Sequence, residues 1–206
     1  MLVVWGRANS VNVQKVLWCC AEMGLAYERK DAGGPFGIVN TPEYRRMNPN
    51  GLVPTIVDDD LVLWESHAIV RYLAARHSPG GLCPADQKAR AVADQWMDWH
   101  VSTLWPALRP LFLGLIRTPP EQRDLAGIES ARKKCAEALE MLDHRLTATE
   151  YVAGDTFTMA DIALGCGVWR WMALPIERPS LPSAQRWFDM LARRPAFKEI
   201  VMQPLS

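Results

Sequence analysis

Between Asn48 and Leu73 the chain carries groups able to hold a ligand both by its backbone and by its charge. The run Asn48-Pro49-Asn50-Gly51-Leu52-Val53-Pro54-Thr55-Ile56 reads as a turn followed by a strand that opens at Val53-Pro54. Leu61-Val62-Leu63-Trp64-Glu65-Ser66 reads as a second strand running straight into a helix. A proline at the start of a strand donates no ladder hydrogen bond and can follow a cis peptide. That leaves the N–H and C=O of Val53 for an extended peptide ligand, bound as an added strand. Glu65 and Ser66 bring a hydroxyl and the unpaired N–H groups of a helix start to one point, which suits a carboxylate. Taken singly, Pro54 could only shape a turn, and Ser66 could only cap a helix, serine being a preferred cap. The two dipeptides at this spacing, with apolar strands between them, point to a small acidic peptide.

This stretch resembles the glutathione-binding half of the cytosolic glutathione transferases, and the resemblance runs over nearly all 206 residues. It implies glutathione as co-substrate with no other cofactor, gripped by Leu52, Val53, Pro54, Glu65 and Ser66. It implies a transferase that joins the glutathione thiolate to a small apolar electrophile, with peroxide reduction open to the same thiolate, in a homodimer. Two other uses of the fold stay open: a glutathione-dependent disulfide or peroxide reductase, and a non-catalytic ligand-binding protein. One departure concerns the glycine carboxylate. Many relatives carry lysine or arginine just before the Val-Pro pair, where this chain has Leu52, so Arg7, Arg45 and Arg46 are the candidates to replace it.

For such a protein the chemistry belongs in the first strand-to-helix turn, Trp5 to Val16. A free thiol ionises near pH ~8.5, and a helix N-terminus lowers that value. A hydroxyl or amide donor aimed at the sulfur favours the thiolate further. Ser10 falls on the catalytic serine of the theta and insect-type classes, and Asn12 on the asparagine of the bacterial Nu-type T-x-N motif, here with serine first. Ser10 is equally placed to act as an ordinary helix cap, and capping and catalysis compete for one hydroxyl. No tyrosine or cysteine occupies the turn, which disfavours the tyrosine-using classes and those that form a mixed disulfide with glutathione. Cys19 and Cys20 lie further along the helix and read as packing residues.

The electrophile is expected between this turn and a long helix of the second half, against Trp105, Leu108 and Phe112, with Trp169 from a later helix. On the long helix Asp94 and Asp98 either reach the ligand's ammonium group, within one chain or across a dimer interface, or form a solvated face. Phe157-Thr158-Met159-Ala160-Asp161-Ile162 has threonine at a cap, aspartate three residues on and flanking apolar residues, a folding element rather than a catalytic one.

The elements that must position these residues alternate in the first part of the chain. Leu2–Trp5 is a strand, Val11–Met23 a helix stopped by Gly24, Ala26–Lys30 a strand, and Thr41-Pro42-Glu43 the start of a short helix. With the two strands and the helix described above, the order is β-α-β-α-β-β-α, that of a thioredoxin-like half. Ser78-Pro79-Gly80-Gly81 reads as a linker, and only helix signals follow: Asp86 to about Leu115, bent by Pro106 and Pro110; Ile128–Leu146; Met159 to about Trp171; Ser183–Ala192; and a short one from Pro195. The expected domains are an α/β thioredoxin-like, glutathione-binding domain over 1–78, a linker over 79–85 and an all-α domain over 86–206.

Composition excludes several classes. Zero formal net charge gives no basis for a nucleic-acid or membrane partner. No run reaches ~18 apolar residues. The five cysteines are odd in number and lack a C-x-x-C pair, against both a disulfide framework and a zinc site, and they suit a reducing cytoplasm. The four histidines show no metal-ligand spacing, so no metal is expected.

Overall fold

A computed structural model describes all 206 residues. Four strands form one mixed sheet in the order β2-β1-β3-β4: β1 (Leu2–Trp5), β2 (Tyr27–Lys30), β3 (Thr55–Asp58) and β4 (Leu61–Trp64). β1 pairs parallel with β2, across the crossover helix α1 (Val11–Glu22), and antiparallel with β3. β3 and β4 form the hairpin, with Asp59 at φ +55° in its turn. Between β2 and β3 lies α2 (Pro42–Met47), whose cap Thr41 accepts from Tyr44 N–H at 3.2 Å. After β4 comes α3 (Ser66–His77). This is a thioredoxin-like half followed by an all-helical half.

The helical half comprises α4 (Gln87–Trp99), α5 (Trp105–Phe112), α6 (Leu125–Leu146), α7 (Met159–Ala173), α8 (Pro182–Ala192) and α9 (Pro195–Ile200). The long helix expected from Asp86 is present, but two wide turns interrupt it, His100–Leu104 and Leu113–Arg117. In them the amide of Trp105 reaches back five residues to the His100 carbonyl, and that of Thr118 to Leu113. Pro106 follows the first wide turn and Pro110 lies inside α5. Proline has no N–H to offer the carbonyl four residues back, so the regular ladder cannot run through either position.

One continuous apolar core joins the halves. α7 is buried around most of its circumference and packs against α1. Trp18 of α1 is fully buried between Phe157 and Phe197, at ring distances of 5.7 and 4.7 Å. The capping box at α7 is present: Thr158 N–H donates to Asp161 Oδ2 at 2.8 Å, and the Thr158 hydroxyl accepts from Ala160 N–H. No helix is long and apolar enough to cross a membrane.

Candidate active site

The turn after β1 is fixed by backbone bonds to the strand beside it: Gly6 N–H donates to Lys30 O at 2.8 Å and Arg7 N–H to Ala32 O at 3.1 Å. Gly6 sits so close to α1 that an added Cβ would lie 2.4 Å from Val13 Cγ2. The chain then enters α1 with Ser10 at the cap position in extended conformation, its carbonyl accepting from Gln14 N–H at 2.8 Å. Its side chain, however, makes no capping bond. A helix start carries N–H groups that have no partner within the helix. Ser10 therefore presents a free hydroxyl beside free backbone donors.

Asn12, one turn-step further, has its carbonyl oxygen occupied. Lys15 Nζ donates to Asn12 Oδ1 at 3.1 Å and Ser66 Oγ donates to it at 3.4 Å. A lysine ammonium can only donate, so in that form the amide is oriented with its NH2 group away from Lys15. That NH2 group has no protein acceptor, and both Ser10 and Asn12 line the same cavity.

Lys15 is the residue that sequence reasoning missed. It is buried and also donates to His67 Nε2 at 3.1 Å. Burial pushes its ammonium down to about 7, against an upward pull from Cys166. His67, pushed down to about 2 by burial and then by Lys15, is neutral at physiological pH, and so is the more deeply buried His100. The two imidazoles lie 5.2 Å apart, and His100 stacks on Trp105 at 6.2 Å. Gly167 makes room for His100, since a Cβ there would come 2.6 Å from Nε2. A buried polar file thus leads from Asn12 through Lys15, His67 and His100 to Trp105.

The second arm is the Val53-Pro54 peptide, which is cis. Pro54 lies just before β3, and the ladder between β1 and β3 ends at Trp5 and Thr55. Val53 lies beyond it, and neither its N–H nor its C=O has a protein partner. Leu52 differs: its side chain is 64 % exposed, while its carbonyl accepts from Tyr44 Oη at 2.8 Å and Asn48 Nδ2 at 2.9 Å. Leu52 therefore holds the loop and leaves the free backbone pair to Val53.

The third arm is the start of α3. Glu65 takes the cap position with φ +70°, and its side chain makes no capping bond. Ser66 is the first helical residue rather than the cap, and its hydroxyl makes only the long contact to Asn12 Oδ1. The first-turn N–H groups of α3 stay free as in any helix start, and they favour an anion.

A cavity of about 360 Å³ lies between the Ser10 turn, Leu52-Val53 and α5. Of the expected electrophile contacts, Trp105 and Phe112 line it, with Leu113. Leu108 and Trp169 do not. Leu108 and Leu111 of α5, in line with Leu104 of the wide turn before it, are sunk in the core, whereas Trp105, Arg109 and Phe112 form the neighbouring stripe that faces the cavity. Trp169 is turned aside, stacked on Phe188 at 6.3 Å and donating from Nε1 to Gln203 O. Asp94 and Asp98 are both bonded to Arg71, at 2.6 and 2.5 Å, and so are already engaged within the chain. Of the arginines considered for the glycine carboxylate, Arg7 lines the cavity. Arg45 is instead engaged with Pro49 O and Asn40, and Arg46 with Glu43. None of the five free cysteines lines it, and burial pushes Cys20, Cys135 and Cys166 up to about 12.

Comparison with known proteins gives a consistent answer. Residues 9–76 match the model of the glutathione S-transferase N-terminal domain and residues 97–195 that of the C-terminal domain. The glutathione S-transferase GstB of Escherichia coli (strain K12) is 43 % identical over 208 residues, covering 100 % of both chains. A probable glutathione S-transferase, GSTF2, of Oryza sativa subsp. japonica is 31 % identical over 98 % of this chain and 97 % of its own. Among solved structures, the theta class glutathione S-transferase of Xanthomonas axonopodis pv. citri with glutathione bound superposes with a TM-score of 0.96. It is 48 % identical and matches over 100 % of this chain and 99 % of its own.

Proposed function

This chain belongs to the glutathione S-transferase family and is a glutathione transferase; from that premise we propose that it ionises the glutathione thiol at Ser10 and Asn12 and joins it to a small electrophile with an apolar body. The observation that carries the reading is a pair of free donors on one cavity wall, the Ser10 hydroxyl with no cap bond and the Asn12 amide anchored through its oxygen. Glutathione lies along the three arms. Its γ-glutamyl carboxylate meets Ser66 and the first turn of α3, its cysteinyl backbone pairs with Val53, and its sulfur points to Ser10 and Asn12. The thiol gives its proton to solvent, and the donors together with the start of α1 hold the sulfur anion. The sulfur then bonds to the electrophilic carbon and the leaving group departs with its electron pair. Lys15 acts as a positioning residue that keeps the Asn12 amide turned toward the sulfur. A reductase working through a protein thiol finds no cysteine in this cavity. Titration calorimetry with glutathione, followed by a thiol–electrophile assay, tests the reading, and failure to bind glutathione would remove it.

Ser66→Ala separates binding from folding. Ser66 does not cap α3, so the variant should lose less than the ~1 kcal/mol of a missing cap. A charge-assisted hydrogen bond to the γ-glutamyl carboxylate is worth about 1.5–3 kcal/mol. Calorimetry should therefore show glutathione bound roughly ten-fold or more weakly, at a nearly unchanged melting point. Unchanged affinity means that the carboxylate lies elsewhere.

The same reading takes the protein as a cytoplasmic homodimer that works in detoxification. In its favour, β4 is a sheet edge that exposes Leu61 and Val62, and Val101 near the first wide turn is 49 % exposed. An exposed apolar edge strand is normally covered. Sedimentation at micromolar concentration should give twice the 23.2 kDa chain mass, and a monomer would refute the assembly.

A further inference from the structure

Four guanidinium groups, those of Arg7, Arg109, Arg117 and Arg170, line the 360 Å³ cavity, and no carboxylate lines it with them. None of the four pairs with an aspartate or glutamate side chain, although arginines elsewhere in the chain do. Arg170 bonds only to neutral acceptors: Gln14 Oε1, Cys166 O and Asn9 O. Arg117 donates to Ser206 O at 2.9 Å. The side chains of Arg7 and Arg109 have no hydrogen-bond partner within the chain. The charges oppose one another. Burial holds Arg7 below its usual range and Arg117 pushes it lower still; Arg170 is held down to about 10 mainly by burial, with Arg117 and Arg7 adding to the effect. The four guanidiniums thus make the cavity strongly positive, with no aspartate or glutamate side chain on its wall to offset them.

Glutathione does not account for all of it. The peptide brings two carboxylates. The γ-glutamyl one goes to the start of α3, and Arg7, packed beside Gly33, Gly34 and Val53, lies at the glycine end. Arg109 and Arg117 stand on the opposite wall, one on α5 and one on the wide turn that follows it. That wall is also the aromatic one. Arg109 shares its face of α5 with Trp105 and Phe112, and the guanidiniums of Arg117 and Arg170 lie 5.5 and 5.4 Å from the Phe112 ring centroid. An aromatic surface edged by guanidiniums that no aspartate or glutamate engages matches a flat or apolar body with an anion at one end.

We propose that the second substrate of this transferase carries an anionic group, a carboxylate or a sulfonate, held by Arg109 and Arg117 beside Phe112 while its electrophilic carbon faces the sulfur. This rests on the reading above that the glutathione sulfur lies at Ser10. The test compares 4-chloro-3-nitrobenzoate with 4-chloro-3-nitrobenzamide, which have nearly the same shape. In each, the C–S bond forms at the ring carbon bearing chlorine and chloride leaves with the bonding electrons, the thiol proton having already gone to solvent. After division by the uncatalysed rates with glutathione, kcat/KM should favour the carboxylate by about tenfold or more at low ionic strength. The ratio should shrink with added salt, and in the double variant Arg109→Gln/Arg117→Gln it should fall close to one. If the arginines instead stabilise charge developing on a neutral substrate, the two probes are accelerated alike and the proposal fails. It also fails if the preference survives in the variant. Calorimetry on protein saturated with S-methylglutathione gives a readout independent of turnover: 3-nitrobenzoate should bind about tenfold more tightly than 3-nitrobenzamide. That preference in a protein that conjugates neither probe would keep the anion site and overturn the placement of the sulfur at Ser10, whereas equal binding would overturn the anion site alone.

Discussion

Asp161→Ala is expected to lower the melting temperature by roughly 10 °C or more, corresponding to about 3–5 kcal/mol at some 2–4 °C per kcal/mol for a chain of this length. The Asp161 carboxylate is fully buried and accepts from Val152 N–H at 3.0 Å, Thr158 N–H at 2.8 Å and Trp187 Nε1 at 2.8 Å. Burial pushes it up to about 6, opposed by these donors, so it is mainly an anion at neutral pH. Truncation leaves three buried donors without an acceptor, each worth about 1–3 kcal/mol. It also unties the loop before α7 from α7 and α8. Asp161 is remote from the cavity, so conjugation per folded molecule should persist well below the transition. A melting temperature unmoved by the substitution would show that the carboxylate holds nothing together.

Ser10→Ala and Asn12→Ala are each expected to raise the pKa of bound glutathione by about one to two units. A hydrogen bond to a charged acceptor is worth about 1.5–3 kcal/mol, and one pKa unit corresponds to ~1.36 kcal/mol. Thiolate absorbance of bound glutathione against pH reads this directly. Neither variant should abolish ionisation, because the start of α1 remains in both. Lys15→Met distinguishes the two donors. It releases the Asn12 amide, so it should raise the pKa in the wild-type and Ser10→Ala backgrounds and add little to Asn12→Ala. A merely structural lysine would not give that pattern. Lys15 also has a signature in stability. Its folded value near 7 lies below the ordinary 10.5, so the unfolded chain binds more protons between those limits. Lys15 therefore makes stability rise with pH from about 7 to 10.5, and Lys15→Met should remove that slope. A titration unmoved by Ser10→Ala and Asn12→Ala alike would leave the backbone N–H groups as the sole stabiliser.

Much of the fold was legible because local signals agree with tertiary ones. Thr41-Pro42 and Thr158 with Asp161 announce helix starts, Gly24 a helix stop, and the apolar runs around Asp58-Asp59-Asp60 a hairpin. The clamp was legible for the same reason, since Val53-Pro54 and Glu65-Ser66 are punctuation as well as ligand contacts. What stayed hidden depends on direction. Whether the Ser10 hydroxyl caps α1 is a matter of rotamer, and whether Lys15 turns inward depends on His67, more than fifty residues away. The helical period expected for α5 put Leu108 on the cavity face. Positions 108 and 109 flank the line joining Trp105 to Phe112, and α5 is turned so that Leu108 enters the core and Arg109 takes the cavity side. Trp169 lies on the right helix but stacks on Phe188, a contact no spacing encodes.

Arg170 has a consequence for the integrity of the molecule. Rooted in α7, it grips Asn9 O and Gln14 Oε1 of the first half, and Gln14 in turn reaches Ile200 O at 3.0 Å. The segment that carries Ser10 is thus latched from outside its own half of the chain, at both of its ends. A molecule whose helical half has come loose keeps its peptide clamp but loses the latch on the segment that activates sulfur. Nucleophile activation is in this sense interlocked with complete assembly, and a half-opened protein is disarmed before it is unfolded.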